Sequence, residues 1–548
     1  MDGKGRQPLL ARALACCLTL TLAAGVSVVG SDHRAEPSPD PTAAIGGPYA
    51  LLLASSTDLG PSRIEHSQLT VALREPRRPD QLMGWAAREG LVVRWQDGED
   101  WAIVEGAPPD VAAAFDVPVH DYRGLQGQVF YASAEQPKVP LVVQGTVSDV
   151  GRILGFTPHR QASPAFHSLD DIPLDVPDLG LTPNAVLEAY NARALNANGF
   201  TGKGQTIVFY AFDGYEQTDL DGFAELYDLP PLKPTVVGDM PAERHGETTM
   251  DLEVAHAIAP DARMVVVNAR PTLEGGRTYE RIGDMFDSVD RQFPGAVWSL
   301  SIGWGCEALL TATDLKPVQS ALVRAQAHGT TAFDASGDTA SLECKGGPNW
   351  STPPGPADVG LDAVASLPAM TSVGGTSLST DRNGRWLAEQ AWIDSPMSQG
   401  TSGGVSTLFP RPAWQARLSA ARDAGKEGRL TPDVSAVADP MTGVRIRFNN
   451  QNLVGAGTSQ AAPIWAALTA VMNQYLHANG GRALGELNPL LYRVAAGANS
   501  PGFRDVSLGA TAVDVSTPGY DLVTGLGTPN VENLVNDLLD IQRGVAPR

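Results

Sequence analysis

Two hydrophobic rhythms divide the chain. Between residues 45 and 145, short apolar runs are separated by polar and turn-forming residues. "YALLLAS", "QLTVALRE", "LVVRW", "WAIVEG" and "VPVHDY" read as strands, whereas "PDQLMGWAAREG" and "PDVAAAFD" read as helices. This pattern predicts a small α+β domain, an antiparallel sheet with two helices. Residues 160–182, "RQASPAFHSLDDIPLDVPDLGLT", are Pro-rich and acidic, lack apolar periodicity, and read as a linker. From Gly204 the apolar runs become continuous. "QTIVFYAF", "RMVVVNA", "GAVWSLSIGWG", "TTAFDASGD" and "GVRIRF" read as buried parallel strands. Intervening helices include Thr248 to Ile258, closed by Pro260, and Leu315 to His328, closed by Gly329. The alternation predicts an α/β fold with a doubly wound, mainly parallel sheet flanked by helices. Ligands on such sheets bind at the carboxyl ends of strands, where "SIGWG" and "DASGD" fall.

The first 30 residues depart from both rhythms. Lys4, Arg6 and Arg12 precede an uncharged apolar run from Ala13 to Val29, followed by the polar "SDHRAEPSPDP". This is the layout of a secretory signal, with Val28 and Gly30 framing cleavage before Ser31; the run is short for a membrane span. Secretion to the extracellular space, with no membrane attachment after signal cleavage, is the expectation. Cys16 and Cys17 would leave with the signal. Cys306 and Cys344 would remain, in a compartment where disulfides persist, and are expected to pair; two buried free thiols are the alternative. Acidic residues outnumber basic ones 61 to 40, for a net charge of -21. That balance disfavours nucleic acid as a partner and suits solubility, or work in acid.

Candidate chemistry centres on "VGAGTSQAAPIWAALTAV", residues 454–471. Ser459 stands at the start of a long apolar helix, with Pro463 in the first turn and Gly480 and Gly481 beyond the end. A serine there caps the helix, or attacks a substrate while its own N–H binds an oxyanion. No "GxSxG" elbow occurs. Among the histidines, His328 and His477 end helices and His256 lies among apolar residues. His245, in "RHGET", has a loop position suited to catalysis. The same stretch places Glu247 and Asp251 four residues apart on one helix face, where like charges couple their titrations and raise at least one pKa. The alternative is a pair of acids favoured by the helix dipole. Glu253 lies on another face and reads as solvent-facing or structural. Asp338 follows "FDASG" at a strand end and, if protonated, would donate a hydrogen bond to an oxyanion.

Taken in order, "GETTMDLEVAHAIAPDA", "SLSIGWGCE", "GTTAFDASGDTAS", "MTSVGGTSL", "SGGVSTLFPRPAWQ", "RLTPDVSAVADPMTG" and "GAGTSQAAP" resemble the sedolisin family of serine-carboxyl peptidases, whose catalytic domain has an enlarged subtilisin-like fold. The resemblance spans almost all of residues 182–530. It implies Ser459 as nucleophile, Glu247 as base and later acid, Asp251 as the residue that orients Glu247, and Asp338 as oxyanion donor. Residues 45–145 resemble the family's activation propeptide. The implied organisation is a signal peptide (1–30), an activation propeptide (31–160), a linker with the maturation cut (161–182) and a catalytic domain (183–548). "FRDVSLGATAVDVSTPGYDLVTGLGTPN" resembles the family's calcium loop, implying one structural Ca²⁺ held by Asp505 and Asp521 carboxylates and the Val506, Thr517 and Gly519 carbonyls. Ala211 stands where some members extend the carboxylate network with glutamate, and Trp304 where the family lines its substrate groove.

The expected protein is a secreted, self-processing serine endopeptidase that works in acid. It would act on polypeptides as a monomer, with its own propeptide as intramolecular inhibitor. A tripeptidyl-peptidase of the same family, a silent binding protein on the same fold, and a subtilisin using His245 are the alternatives. A glutamate base fits acid because histidine, with a pKa near about 6.5, is protonated there.

Overall fold

The computed structural model describes residues 43–157, 160–161, 167–168, 180–273, 277–345, 355–394, 399–418, 427–497 and 501–546. The expected signal segment and most of the linker lie outside the described residues. The N-terminal part contains α1 (Gly47–Ala54), β1 (Thr57–Pro61), β2 (Ser67–Leu73), α2 (Asp80–Arg88), β3 (Val92–Arg94), β4 (Trp101–Gly106), α3 (Pro108–Phe115), β5 (His120–Arg123), β6 (Val129–Ala132) and β7 (Val147–Val150). A four-stranded antiparallel sheet, ordered β3-β4-β2-β7, packs Leu69, Val71 and Val104 against Leu82 and Trp85 of α2 and Val111 and Phe115 of α3. A second sheet is ordered β1-β5-β6.

"YALLLAS" is helical, not a strand. Its Leu and Ala residues are strong helix formers, Pro48 sits in the first turn, and Tyr49 is buried while Leu51 is exposed, so no period-two face exists to pair.

Two short strands follow, β8 (Arg160–Gln161) and β9 (His167–Ser168). The larger part then adds α4 (Pro183–Ala189), α5 (Arg193–Ala197), β10 (Thr206–Ala211), α6 (Gln217–Leu226), β11 (Thr235–Val237), α7 (Glu247–Ile258), β12 (Arg263–Asn268), α8 (Thr278–Gln292), β13 (Val297–Leu300), β14 (Ile302–Gly303), α9 (Lys316–Ala327), β15 (Thr331–Ala335), β16 (Thr371–Thr380) and β17 (Trp386–Ala391). The central sheet runs β11-β12-β10-β13-β15-β16-β17, and Val434–Val437 also pairs with β16. Its pairings are parallel except β16 with β17.

"GVRIRF" lies outside this sheet. Arg445–Phe448 forms an antiparallel hairpin with Gln451–Val454, turned by Asn449 and Asn450 at φ +51° and +61°. Asparagine tolerates that left-handed backbone, which a two-residue hairpin turn requires.

Helix α10 (Thr458–Ala478) runs through the core beneath the sheet, with Trp465 and its neighbours fully buried. Pro463 is the sixth residue of this helix and therefore stands in its second turn rather than its first. Lacking an N–H, it leaves the carbonyl of Ser459, four residues earlier, without its helical donor.

The N-terminal sheet lies against α8 and α9 through charge. Arg94 pairs with Glu105 (3.1 Å) and Glu280, Arg277 with Glu105 (2.7 Å), Arg324 with Glu99 (2.5 Å), and Lys316 with Asp100. Buried Asp314, its carboxyl pushed up to about 6 by burial, accepts the Arg152 N–H at 3.0 Å.

Candidate active site

The ends of three neighbouring parallel strands meet the starts of two helices. β10 leads to Asp213, β13 to Ser301, and β15 to Gly337 and Asp338; α7 begins at Glu247 and α10 at Thr458. This juxtaposition brings Glu247, Asp251, Asp338 and Ser459 into one cluster from positions more than 200 residues apart.

Ser459, 2% exposed, is the second residue of α10. Gly457 caps that helix at φ +88°, and a Cβ there would stand 2.6 Å from Asp338 Oδ2, so glycine is needed twice over. Asp338 Oδ1 accepts both the N–H and the hydroxyl of Thr458, each at 2.7 Å. On the opposite side the Ser301 hydroxyl lies 2.9 Å from Asp251 Oδ1 and 3.0 Å from the Ser459 carbonyl oxygen. Ser301 thus occupies the place left vacant by Pro463 and links the helix bearing the carboxylates to the helix bearing the serine.

Burial pushes the Glu247 carboxyl well above the usual carboxylate range. The charges of Asp251, Asp213 and Asp338 push the same way, and hydrogen bonding from the Ser459 hydroxyl opposes them. That hydroxyl is close enough to act on Glu247, although neither carboxylate oxygen has a partner in full hydrogen-bonding geometry among the described residues. Asp251 is likewise raised by burial, with Ser301 opposing and Asp213 adding to the rise. Two buried carboxyls one helical turn apart titrate as a pair, and one proton shared between them leaves one group able to accept another.

Three histidines of the larger part have neighbours of their own. The His245 side chain is half exposed near Glu243, and the His245 main-chain N–H donates to Asp213. Buried His256 contacts the Pro230 carbonyl, and His328 pairs with Asp290. Glu253 is buried and accepts the Arg447 N–H at 2.6 Å, which removes the solvent-facing reading. Trp304 is fully buried and meets Phe212 edge to face, so with the N-terminal part in place it does not wall an open groove. Cys306 and Cys344 form a disulfide.

Three contributors were missed by reading the sequence: Asp213, Ser301 and Thr458. Asp213 carried the same signal as Asp338, a carboxylate just past a buried strand, but "DG" reads first as a turn.

At the expected calcium loop, Asp505 accepts the Gly519 N–H at 3.0 Å and Asp521 accepts that of Thr517 at 2.8 Å. The Thr524 hydroxyl stands 3.2 Å from both Asp521 Oδ1 and the Val506 carbonyl oxygen. Two carboxylates and a carbonyl on one loop are a donor set that suits a hard cation. Thr517 and Gly519 turn their N–H groups toward the carboxylates.

Across 446 residues the chain is 31% identical to kumamolisin of Bacillus sp. (strain MN-32), covering 78% of this chain and 75% of that protein. It is 27% identical over 461 residues to sedolisin of Pseudomonas sp. (strain 101), covering 78% and 73% respectively. To tripeptidyl-peptidase 1 of Bos taurus it is 26% identical over 451 residues, covering 77% and 75%. Among solved structures, its fold is similar to that of Pseudomonas sedolisin, a serine-carboxyl proteinase, complexed with two molecules of pseudo-iodotyrostatin. That match has a TM-score of 0.52 and 24% identity, over 65% of this chain and 97% of the other. No family model matches the sequence.

Proposed function

The chain belongs to the sedolisin family of serine-carboxyl peptidases, and on that premise we propose that it is a secreted, self-processing endopeptidase that works in acid. It is a serine-type peptidase. The observation that carries the proposal is the meeting of Ser459 with Glu247 in a buried site where carboxyls, rather than histidine, surround the hydroxyl.

In the proposed reaction Ser459 Oγ attacks the carbonyl carbon of the scissile peptide while Glu247 takes its proton. Asp338, protonated in acid, and the Ser459 N–H would donate to the oxyanion. Glu247 then gives the proton to the leaving amine as the C–N bond breaks. Water, activated by the same carboxylate, hydrolyses the acyl-enzyme. Asp251, held by Ser301, orients Glu247.

Self-processing is supported by two main-chain pairings. Arg160 and Gln161 run antiparallel to Gly303 and Ile302, just beyond Ser301. His167 and Ser168 run antiparallel to Val454 and Leu453, five residues before Ser459. These two short pieces are thus bound through extended backbone to segments that lead from Ser301 and toward Ser459 in the chain, the main-chain pairing a peptide substrate would also use. The first cut falls within 161–182, and the N-terminal part, held by its ion pairs on α8 and α9, is the intramolecular inhibitor.

One Ca²⁺ is proposed at Asp505, Val506, Thr517, Gly519 and Asp521, the carboxylates bringing the charge and the loop the carbonyls. The ion's role is to hold this loop against Asp433, whose carbonyl accepts the Leu526 N–H at 2.9 Å.

The deciding experiment is digestion of an unfolded protein by the activated enzyme across pH 2 to 8, roughly spanning the carboxyl and histidine ranges, with products identified by mass spectrometry. Internal fragments in acid and little cleavage at neutral pH are expected. Tripeptides released stepwise from the N-terminus would overturn the endopeptidase reading, and activity rising toward neutrality would overturn the glutamate base.

A further inference from the structure

A carboxylate base has to be aimed, and the start of α7 is held from across the sheet. Gly246 caps this helix at φ +96° and has no side chain with which to bind the free N–H groups behind it. Asp213, two residues past the end of β10 and 2% exposed, supplies the acceptors. Its Oδ2 accepts the N–H of His245 at 2.7 Å and of Gly246 at 2.9 Å. Its Oδ1 accepts the N–H of Thr248 at 3.0 Å and the Thr248 hydroxyl at 2.6 Å. The same hydroxyl stands 2.9 Å from the Asp213 carbonyl oxygen. These bonds bracket Glu247 on both sides.

We propose that Asp213 is the positioning residue for Glu247, fixing the main chain before and after it so that its carboxylate is presented to Ser459. The inference rests on Glu247 acting as the base. An ordinary side-chain cap would come from the N-cap residue itself; here the cap is borrowed from another strand, so the helix start is registered to the sheet end that also carries the site. The placement has an electrostatic result as well. Three carboxyls bear on Glu247, Asp251 along α7, Asp213 at the helix start and Asp338 from the loop after β15, while α10 presents the Ser459 hydroxyl. His245 and Glu243 point outward with half-exposed side chains. Asp213 raises both Glu247 and Asp251. Removing its charge lets Glu247 ionise at lower pH.

The test is Asp213→Asn in the full-length chain, cut in trans by parent enzyme so that slow self-processing does not mask the kinetics. At about pH 4, kcat is expected to fall about 10- to 100-fold with KM nearly unchanged, and the acid limb of kcat/KM to move about one pH unit lower. A kcat and profile matching the parent would overturn the proposal. Should Asp213→Asn not fold, Thr248→Ala and Thr248→Ser decide. Loss of the hydroxyl is expected to lower kcat about tenfold and serine to restore it; an alanine variant equal to the parent counts against the proposal. Glu247→Gln, measured alongside, separates the two readings. If it stays active, the base assignment has failed. If it is inactive while Asp213→Asn behaves as the parent, the positioning role alone has failed.

Discussion

The Ser301 hydroxyl lies 3.0 Å from the main-chain carbonyl oxygen of Ser459. In an unbroken helix that carbonyl would be bonded by the N–H four residues on, which Pro463 lacks. Because the same hydroxyl reaches Asp251 at 2.9 Å, one small side chain fixes both the start of the serine helix and the second carboxyl. Ser301→Ala is expected to remove the one hydroxyl proton that these two buried acceptors share, leaving a buried acceptor without a donor at a cost of about 1 to 3 kcal/mol of stability. It should also lower kcat. Ser301 holds the Asp251 carboxyl down, so its loss raises that group further, and the acid limb of the pH-rate profile should move to higher pH. Thermal melts and a pH profile check both outcomes.

Asp338→Ala is expected to lower kcat about 100- to 1000-fold with little change in KM, because the donor is needed when the oxyanion forms. Ser459→Ala should abolish peptide hydrolysis and leave the full-length chain uncut. Gel analysis of both purified variants after acid incubation distinguishes slowed from absent self-processing.

Several buried carboxyls have raised pKa values, among them Asp362 at about 7 and Asp314 at about 6, lifted chiefly by burial. A carboxyl raised in the folded state holds its proton more tightly than in the unfolded chain. Its stabilisation is fully present below the unfolded value of about 3.9 and is lost as pH rises through the folded value. The uncut chain is therefore expected to melt a few degrees higher near pH 4 than near pH 7, roughly 1 °C for each kcal/mol in a chain of 548 residues. Calorimetry of the Ser459→Ala chain, which cannot digest itself, is the measurement. An equal or lower melting temperature in acid would contradict this.

Chelation should act on stability before it acts on chemistry. With excess EDTA the C-terminal loop is expected to loosen and the melting temperature to fall, with Ca²⁺ restoring it and Asp521→Asn no longer responding. Unchanged melting in EDTA would remove the proposed ion.

Charge reversal on the N-terminal sheet tests the proposed inhibitory role. Arg94 faces Glu105 and Glu280 in a half-buried network, and Arg94→Glu should weaken inhibition by the separated N-terminal part about tenfold or more. Inhibition constants at two salt concentrations would show it.

Much of the site was legible because its residues stand at element boundaries. Glu247 and Asp251 share a face by helical spacing, and Ser459 begins a helix whose apolar length marks it as core. Asp213 and Ser301 were not legible, because their roles depend on which strand ends lie side by side, and strand order is set by packing over hundreds of residues. "YALLLAS" failed because a short apolar run has no decisive period. "GVRIRFNNQNLV" was readable in principle, since "NN" marks a hairpin, but its apolar half looked like another core strand.

Strands β8 and β9 bind Ile302–Gly303 and Leu453–Val454 through main-chain groups. If the linker departs as the proposed self-processing requires, those N–H and C=O groups lose their partners. Any extended chain, whatever its side chains, can satisfy them. On the proposed function, the edges that pair with residues 160–161 and 167–168 would then serve as a ladder read through the peptide backbone.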